Sequence, residues 1–388
     1  MKISMIAVDG IDQVTPLARE LGEQGHHVTI HTRSEKPGKR RTTLAANVVV
    51  DPIPAGPERP LDGAEVLPHL AEFGTALAQR WSRKGQGPDV VHAHGWTSGL
   101  AAMTASRTLG ADAVSPSASP EQLASGRRLP LLQTYGPQAS HGARVDPAAQ
   151  ARLERALGRS AAASTVPCDE NRDDLVRLGV PRTRIAVVPA GIDTEEFTER
   201  GPVAPRGERH RILVLTGPGE SAHLAVRALT RLPGTELVIA GGPHAADLET
   251  DPDATELRTL AKDLGVDDRV IMLGELARKQ APRLIRSADL VLALHHDPYG
   301  TIALQAMACG VPVIAHDSGA HRDTVLDGVT GLLISDLSPV ALARRVRDLL
   351  ANPVRREALG IAAADRVTSR HSWDRIARET ASLYDKIA

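Results

Sequence analysis

Short runs of branched apolar residues recur along this chain, and between them lie stretches with helical spacing. Ile3-Ser4-Met5-Ile6-Ala7-Val8 is followed by Leu17, Ala18 and Leu21 on one helical face, a stop at Gly25, and a second run, His27-Val28-Thr29-Ile30-His31. Strand, helix and strand within about thirty residues make a βαβ unit, and a run that is apolar on both faces must be covered on both faces. The pattern returns in a strand at 89–93, a helix at 100–108 and a strand at 130–134. Residues 201–210 (Gly-Pro-Val-Ala-Pro-Arg-Gly-Glu-Arg-His) then break it with prolines and glycines and read as a linker. Alternation restarts at 211–216 and continues through runs at 236–242, 270–273, 290–294 and 311–315. The expectation is two doubly wound α/β domains, 1–200 and 211–369, with ligands held beyond the carboxyl ends of the strands in the crevice between them. The Ser/Pro/Ala-rich stretch between Gly110 and Gly126 reads as a surface insertion.

Composition removes several classes of function. Over 388 residues, Lys and Arg number 46 against 47 Asp and Glu, so no net charge draws the chain to nucleic acid or anionic lipid. Two cysteines, Cys168 and Cys309, cannot build a disulfide framework or a four-ligand zinc site. No apolar stretch approaches the length of a transmembrane segment, and the N-terminal run ends in Asp9-Gly10 rather than a cleavage site. A cytoplasmic location is expected.

Chemistry concentrates in Asp297-Pro298-Tyr299-Gly300-Thr301-Ile302-Ala303-Leu304-Gln305-Ala306-Met307-Ala308-Cys309-Gly310. A strand ends, a Pro/Gly turn follows, and a helix opens near Thr301. Such a helix start offers unpaired amides and a positive dipole end to an anion. Asp297 sits at its mouth, and Gln305 lies a little over one turn beyond Thr301.

This segment resembles the signature of the retaining GT-B glycosyltransferases of family 4, in which two glutamates are separated by seven residues. The resemblance covers nearly the whole chain. His92-Ala93-His94-Gly95-Trp96-Thr97-Ser98-Gly99 is similar to the family's His-Ala-His-x-Trp-x-Ser-Gly. Leu178-Gly179-Val180-Pro181, Val187-Val188-Pro189-Ala190-Gly191-Ile192-Asp193, Asp327-Gly328-Val329-Thr330-Gly331 and the tail Ser372-Trp373-Asp374-Arg375 fit as well. Family membership implies a GT-B fold: two Rossmann-like domains facing a central cleft, the first joined by the C-terminal helix at about 370–388. It implies a nucleotide-diphosphate sugar held by the second domain, an acceptor held by the first, transfer with retention of configuration, and neither metal nor cofactor. His94 and Asp297 are the implied catalytic residues. Gly217, Tyr299, Gly300, Thr301, Gln305, Gly319, His321 and Arg322 are the implied donor contacts, and Gly10 and Tyr135 lie on the acceptor side.

The chain departs from the family pattern where charge matters. Asp297 is one methylene shorter than the first glutamate, and Gln305 keeps an acceptor for the ribose but loses the charge of the second. After the strand at 211–216 the loop reads Gly217-Pro218-Gly219-Glu220, where the family carries an arginine and a lysine for the diphosphate. Losing two charged hydrogen bonds costs about 3–6 kcal/mol of donor or transition-state binding. His223, Arg227, His295, His296, His321 and Arg322 are the groups that could substitute. The expected activity is glycosyl transfer. The alternative is an impaired homologue that acts by binding, with a second copy or a true glycosyltransferase as partner. Gly217-x-Gly219-x-x-Ala222 also matches a dinucleotide fingerprint, but Glu236 stands at the wrong end of the next strand for that use.

Overall fold

The computed structural model describes residues 1–38, 40–61, 63–83, 87–112, 129–136 and 146–388. Most of the stretch between Gly110 and Gly126 that reads as a surface insertion, from residue 113 on, lies outside them.

The chain forms two compact units, Met1–Pro189 with Trp373–Ala388, and Ala190–Ser372. The division therefore falls before the 201–210 segment, which belongs to the second unit. Residues 190–200 are bound to that unit by packing and hydrogen bonds. Phe197 is buried with Leu284, Ile285 and Met307, and Arg286 Nη1 donates to Thr198 O at 2.9 Å. The presumed linker is pinned there too: Ala204 N donates to Arg283 O at 2.9 Å, and Arg206 Nη1 to Ser287 O at 2.8 Å.

The first unit's sheet contains β1 (Lys2–Ile6), β2 (His27–Arg33), β3 (Thr42–Ala45), β4 (Val48–Ile53), β5 (Val90–His94), β6 (Leu131–Thr134), β7 (Ala163–Val166) and β8 (Ile185–Val187). Their order is β3-β4-β2-β1-β5-β6-β7-β8. All pairs are parallel except β3 with β4, so the sheet carries one antiparallel edge that the parallel-sheet expectation did not include. One face is closed by the helices Thr15–Glu23 and Trp373–Ile387, whose Leu17, Leu21, Ile376 and Tyr384 pack on Ile3, Met5, Val28 and Ile30. The C-terminal helix, from Trp373, returns to this unit.

The second unit's sheet contains β9 (His210–Val214), β10 (Thr235–Ala240), β11 (Val270–Gly274), β12 (Leu290–Ala293), β13 (Val313–His316) and β14 (Leu332–Ile334). The order β11-β10-β9-β12-β13-β14 is parallel throughout and is the doubly wound Rossmann order. Every residue of β10 and β12 is buried, which explains why these strands read as unbroken apolar runs.

Topology decides where ligands can bind. Strand order reverses between β1 and β5 in the first unit and between β9 and β12 in the second, and crevices open beyond the carboxyl ends at such points. Gly10 and His94 follow or end the first pair; Gly217 and Asp297 follow the second.

Candidate active site

In the second unit, β12 runs into a turn whose shape depends on one side chain. Asp297 is buried, and its carboxylate accepts from Tyr299 N (Oδ1, 2.9 Å) and Thr301 N (Oδ2, 2.8 Å). An aspartate is short enough to bond amides two and four residues ahead, so it caps the helix Thr301–Ala308. Gly300 has φ 64°, the left-handed conformation that glycine adopts without steric cost. The first intrahelical bond runs from Leu304 N to Gly300 O at 2.9 Å, which leaves the amides of Ile302 and Ala303 at the open end. The strand, turn and helix expected from the sequence are present, and a carboxylate of the chain itself already holds two of the turn's amides.

Against this turn packs the loop after β13. Ala320 N donates to Asp297 O at 3.1 Å, and Gly319 sits with φ 57° where a Cβ would stand 2.8 Å from that same oxygen. Replacing Gly319 by alanine is therefore expected to cost about 1–3 kcal/mol, through backbone strain and contact with Asp297 O. A urea midpoint unchanged by the substitution would contradict this packing.

Imidazoles surround the turn. His295 Nε2 lies 3.8 Å from Asp297 Oδ2, and the His295 and His321 rings meet edge to face with centroids 6.3 Å apart. His321 Nδ1 bonds His316 O at 3.1 Å, while His321 Nε2 and His295 Nδ1 are buried and have no hydrogen-bond partner among the described residues. Burial pushes both histidines below the ordinary imidazole pKa, a pull that the nearby Asp297 carboxylate opposes without reversing. They are neutral near pH 7 and offer hydrogen bonds rather than positive charge. Arg322, the cation picked out beside them, has Nε on Asp317 Oδ1 at 2.8 Å. Burial also pushes the Tyr299 phenol up to about 12, so it remains a hydroxyl.

Gln305 lies partly buried one turn into the helix, with its side-chain amide unpaired among the described residues. Across the switch point, Gly217 N donates to Ala240 O at 2.9 Å, holding the loop after β9 against the end of β10. Thr216 Oγ1, just before that loop, is buried without a partner among the described residues, a candidate donor contact that the sequence analysis did not single out. His223 is turned away from this edge: its Nδ1 bonds Gly219 O at 3.1 Å and its Nε2 lies 3.6 Å from Glu256. With Arg227 it borders a groove of about 620 Å³ whose acids, Glu220, Asp253 and Glu256, suit it poorly to a diphosphate. Glu236 is committed elsewhere as well. It accepts from Arg211 Nε at 2.6 Å in a buried pair at the amino ends of β9 and β10, which removes the acid a dinucleotide site would use. Cys309 is buried and its thiol is raised to about 12 by burial, the state of an inert core residue.

In the first unit, His94 ends β5 and precedes the helix Gly95–Asp112. Its ring lies 4.0 Å from that of His92, and its Nε2 is buried and unpaired among the described residues. Burial lowers its pKa to about 3, so His94 can donate or accept a hydrogen bond but carries no charge at neutral pH. His92 fixes the floor beneath it, with Nδ1 on Tyr384 Oη and Nε2 on Thr134 Oγ1, each at 2.7 Å. The loop after β1 closes on the same helix start: Thr97 Oγ1 donates to Asp9 Oδ2 at 2.7 Å, and Val8 N to Ser98 Oγ at 3.1 Å. Gly10 is exposed in that loop, with nothing within 4 Å of where a Cβ would stand. Tyr135 differs from the other expected acceptor-side residue. Its ring is buried with Leu157, Val166 and Val180, and its hydroxyl donates to Glu154 O at 2.9 Å, so it supports the edge from within the core.

Two Rossmann-like units with glycine turns at their switch points form the GT-B glycosyltransferase architecture. Residues 11–191 match the glycosyl transferase 4-like domain, and residues 219–366 match glycosyl transferases group 1. The D-inositol 3-phosphate glycosyltransferase of Xylanimonas cellulosilytica is 30% identical over 96% of this chain and 90% of its own. The enzyme of the same name from Acidothermus cellulolyticus is 30% identical over 96% of this chain and 84% of its own. Among solved structures, sucrose-phosphate synthase of Thermosynechococcus elongatus superimposes with a TM-score of 0.75 at 22% identity, covering 100% of this chain and 98% of that one. Anabaena Alr3699/HepE, solved in complex with UDP, gives a TM-score of 0.73 at 16% identity with 100% of both chains covered. The chain belongs to the glycosyl transferases group 1 family. Among the described residues, no helix is long and apolar enough to cross a membrane, and no group of three or more His, Cys, Asp and Glu is placed to hold a metal ion.

Proposed function

We propose that this protein transfers a glycosyl group from a nucleotide-diphosphate sugar to an acceptor in the cytoplasm, with retention of configuration and without a metal. The observation that carries the reading is the turn Asp297–Thr301 at the carboxyl end of β12, with a helix dipole and open amides beside the unpaired Gln305. In this reading the diphosphate lies against the amides that open the helix, and Gln305 accepts from the ribose. Breaking the sugar–phosphate bond builds charge on the diphosphate. With no arginine or lysine in the loop 217–220, the dipole and amides must stabilise that charge, assisted by hydrogen bonds from neutral His295 and His321. Asp297, freed from one of its two amides, would turn an oxygen to a sugar hydroxyl. His94, neutral and unpaired among the described residues, would hold a hydroxyl of the acceptor. Nucleotide release from a panel of UDP-, GDP- and ADP-sugars, with polyhydroxylated acceptors present, tests the reading. One donor should stand out, and silence across the panel from folded protein would overturn it.

The self-capping by Asp297 favours a second reading, a homologue that binds a second copy or a partner glycosyltransferase without turning over sugar. A carboxylate that satisfies the amides itself leaves the turn stable with no donor bound. Gln305→Glu separates the two readings. A charged acceptor at this position should strengthen nucleoside diphosphate binding about fivefold through a charge-assisted bond to the ribose. An unchanged calorimetric affinity would mean that the ribose pocket is no longer used.

A further inference from the structure

The sheet face beneath the helix Leu70–Trp81 changes character along its strands. Toward the carboxyl ends Ile6, Val8 and Ile53 pack on Phe73, Leu77 and Ala78. The same face also carries Lys2 and Ser4 toward the amino end of β1, Thr29 of β2 beside Ser4, and His31 of β2 and Asp51 of β4 level with Ile6. Sheets covered on both sides are normally apolar on both sides, so polar residues in a row on such a face call for a partner. Here they floor a pocket of about 240 Å³ walled by Arg41, Arg80 and Trp81, about eight water molecules' share of liquid volume.

Three side chains of this pocket are more than nine-tenths buried and keep a polar atom unpaired among the described residues: Ser4 Oγ, His31 Nδ1 and Trp81 Nε1. Buried polar atoms are almost always paired, and three orphans around one cavity is an unusual concentration. The nearest acceptor to His31 Nδ1 is Asp51 Oδ2 at 3.5 Å, and that oxygen already accepts from Arg80 Nε at 2.8 Å. The indole N–H can only donate, Arg80 already holds Asp51, and Arg41 at the rim has no carboxylate partner among the described residues, so the unmet demand is for acceptor oxygens and negative charge.

We infer that this pocket binds a small organic anion, its acid group against Arg41 and an oxygen within reach of the Trp81 indole and the Ser4 hydroxyl. The site lies toward the amino end of β1, whose carboxyl end leads to Gly10, so it is distinct from the transfer edge and does not depend on the activity proposed above. A carboxylate and a phosphate monoester share the required chemistry, and titration distinguishes them.

The chain has three tryptophans, so an amide-correlation NMR spectrum shows three indole cross-peaks, and Trp81→Phe identifies one of them by its loss. Citrate and D-glucose 6-phosphate, each titrated to about 10 mM, are the probes. At least one should shift the Trp81 cross-peak saturably, and the one that does identifies the acid. Arg41→Ala, an exposed substitution that leaves the core intact, should weaken that binding about tenfold. A Trp81 cross-peak unmoved by both probes, or an affinity unchanged in Arg41→Ala, would overturn the assignment.

Discussion

Replacing Asp297 by asparagine is expected to tighten nucleoside diphosphate binding about tenfold and to lower glycosyl transfer about a hundredfold. Both effects follow from where the carboxylate sits. It bonds Tyr299 N and Thr301 N and thereby places a negative charge at the helix start that would receive the diphosphate. Two like charges 4 Å apart repel by about 4 kcal/mol at an effective dielectric of 20, and screening and relaxation leave about a third of that, or a factor of ten. Asparagine keeps one acceptor for the turn, so the loss of stability should stay at about 1 kcal/mol or less. Transfer falls because an amide is a weaker acceptor than a carboxylate for a sugar hydroxyl as positive charge develops on the ring. The informative result is the opposite movement of the two numbers, binding up and turnover down. Affinity that fails to rise would show that Asp297 and the phosphates do not share this edge.

The second large effect is on stability in acid. His92 and His94 are buried neutral; burial is the leading cause for both, and the His94 pKa falls to about 3. Below the unfolded value of about 6.5, the unfolded chain takes up a proton at each ring and the folded chain does not, so stability is full at neutral pH and lost as the pH falls. Each histidine removes about 1.4 kcal/mol per pH unit until its folded pKa is reached. Between pH 6 and pH 4 His94 alone removes about 2–3 kcal/mol, and His92 adds a loss of the same sign. The first unit should therefore unfold in mild acid while His92 still bridges Tyr384 and Thr134 at neutral pH. Urea midpoints at pH 7 and pH 5 measure this. His94→Gln should remove about one proton from the slope, and a midpoint flat across that range would contradict the neutral assignment.

Much of this architecture is legible in the residues, because burial on both faces writes itself as unbroken apolar runs. β10 and β12 are the clearest cases. The strands not expected from the sequence are β3, β4, β7, β8 and β14: Thr42-Thr43 in β3 and Ser164-Thr165 in β7 have no apolar run to betray them, β8 and β14 are only three residues long, and the valines of β4 run straight into Asp51-Pro52. Pro/Gly content marks irregular backbone and says nothing of what that backbone is bound to, so it does not locate the division between the units. Residues 190–200 look like the tail of the first unit, yet Phe197 and Arg286 secure them to the second. At the site, the helix-opening turn is readable from Asp297 through Thr301, since glycine and proline fix its geometry. That Asp297 would bond its own turn is not readable, because one methylene decides between reaching outward and folding back. Nor could the sequence show that His295, His321 and His94 are neutral, which depends on burial, or that Tyr135 and Arg322 already have partners in Glu154 and Asp317.

The most direct measurement is a crystal soaked in turn with UDP, GDP and ADP. The account predicts, for one of them, diphosphate density against the amides at Gly300–Ala303, with the ribose at Gln305 and at least one Asp297 oxygen released from its amide. A nucleotide bound elsewhere, or Asp297 still holding both amides at saturating concentrations of all three, would contradict it.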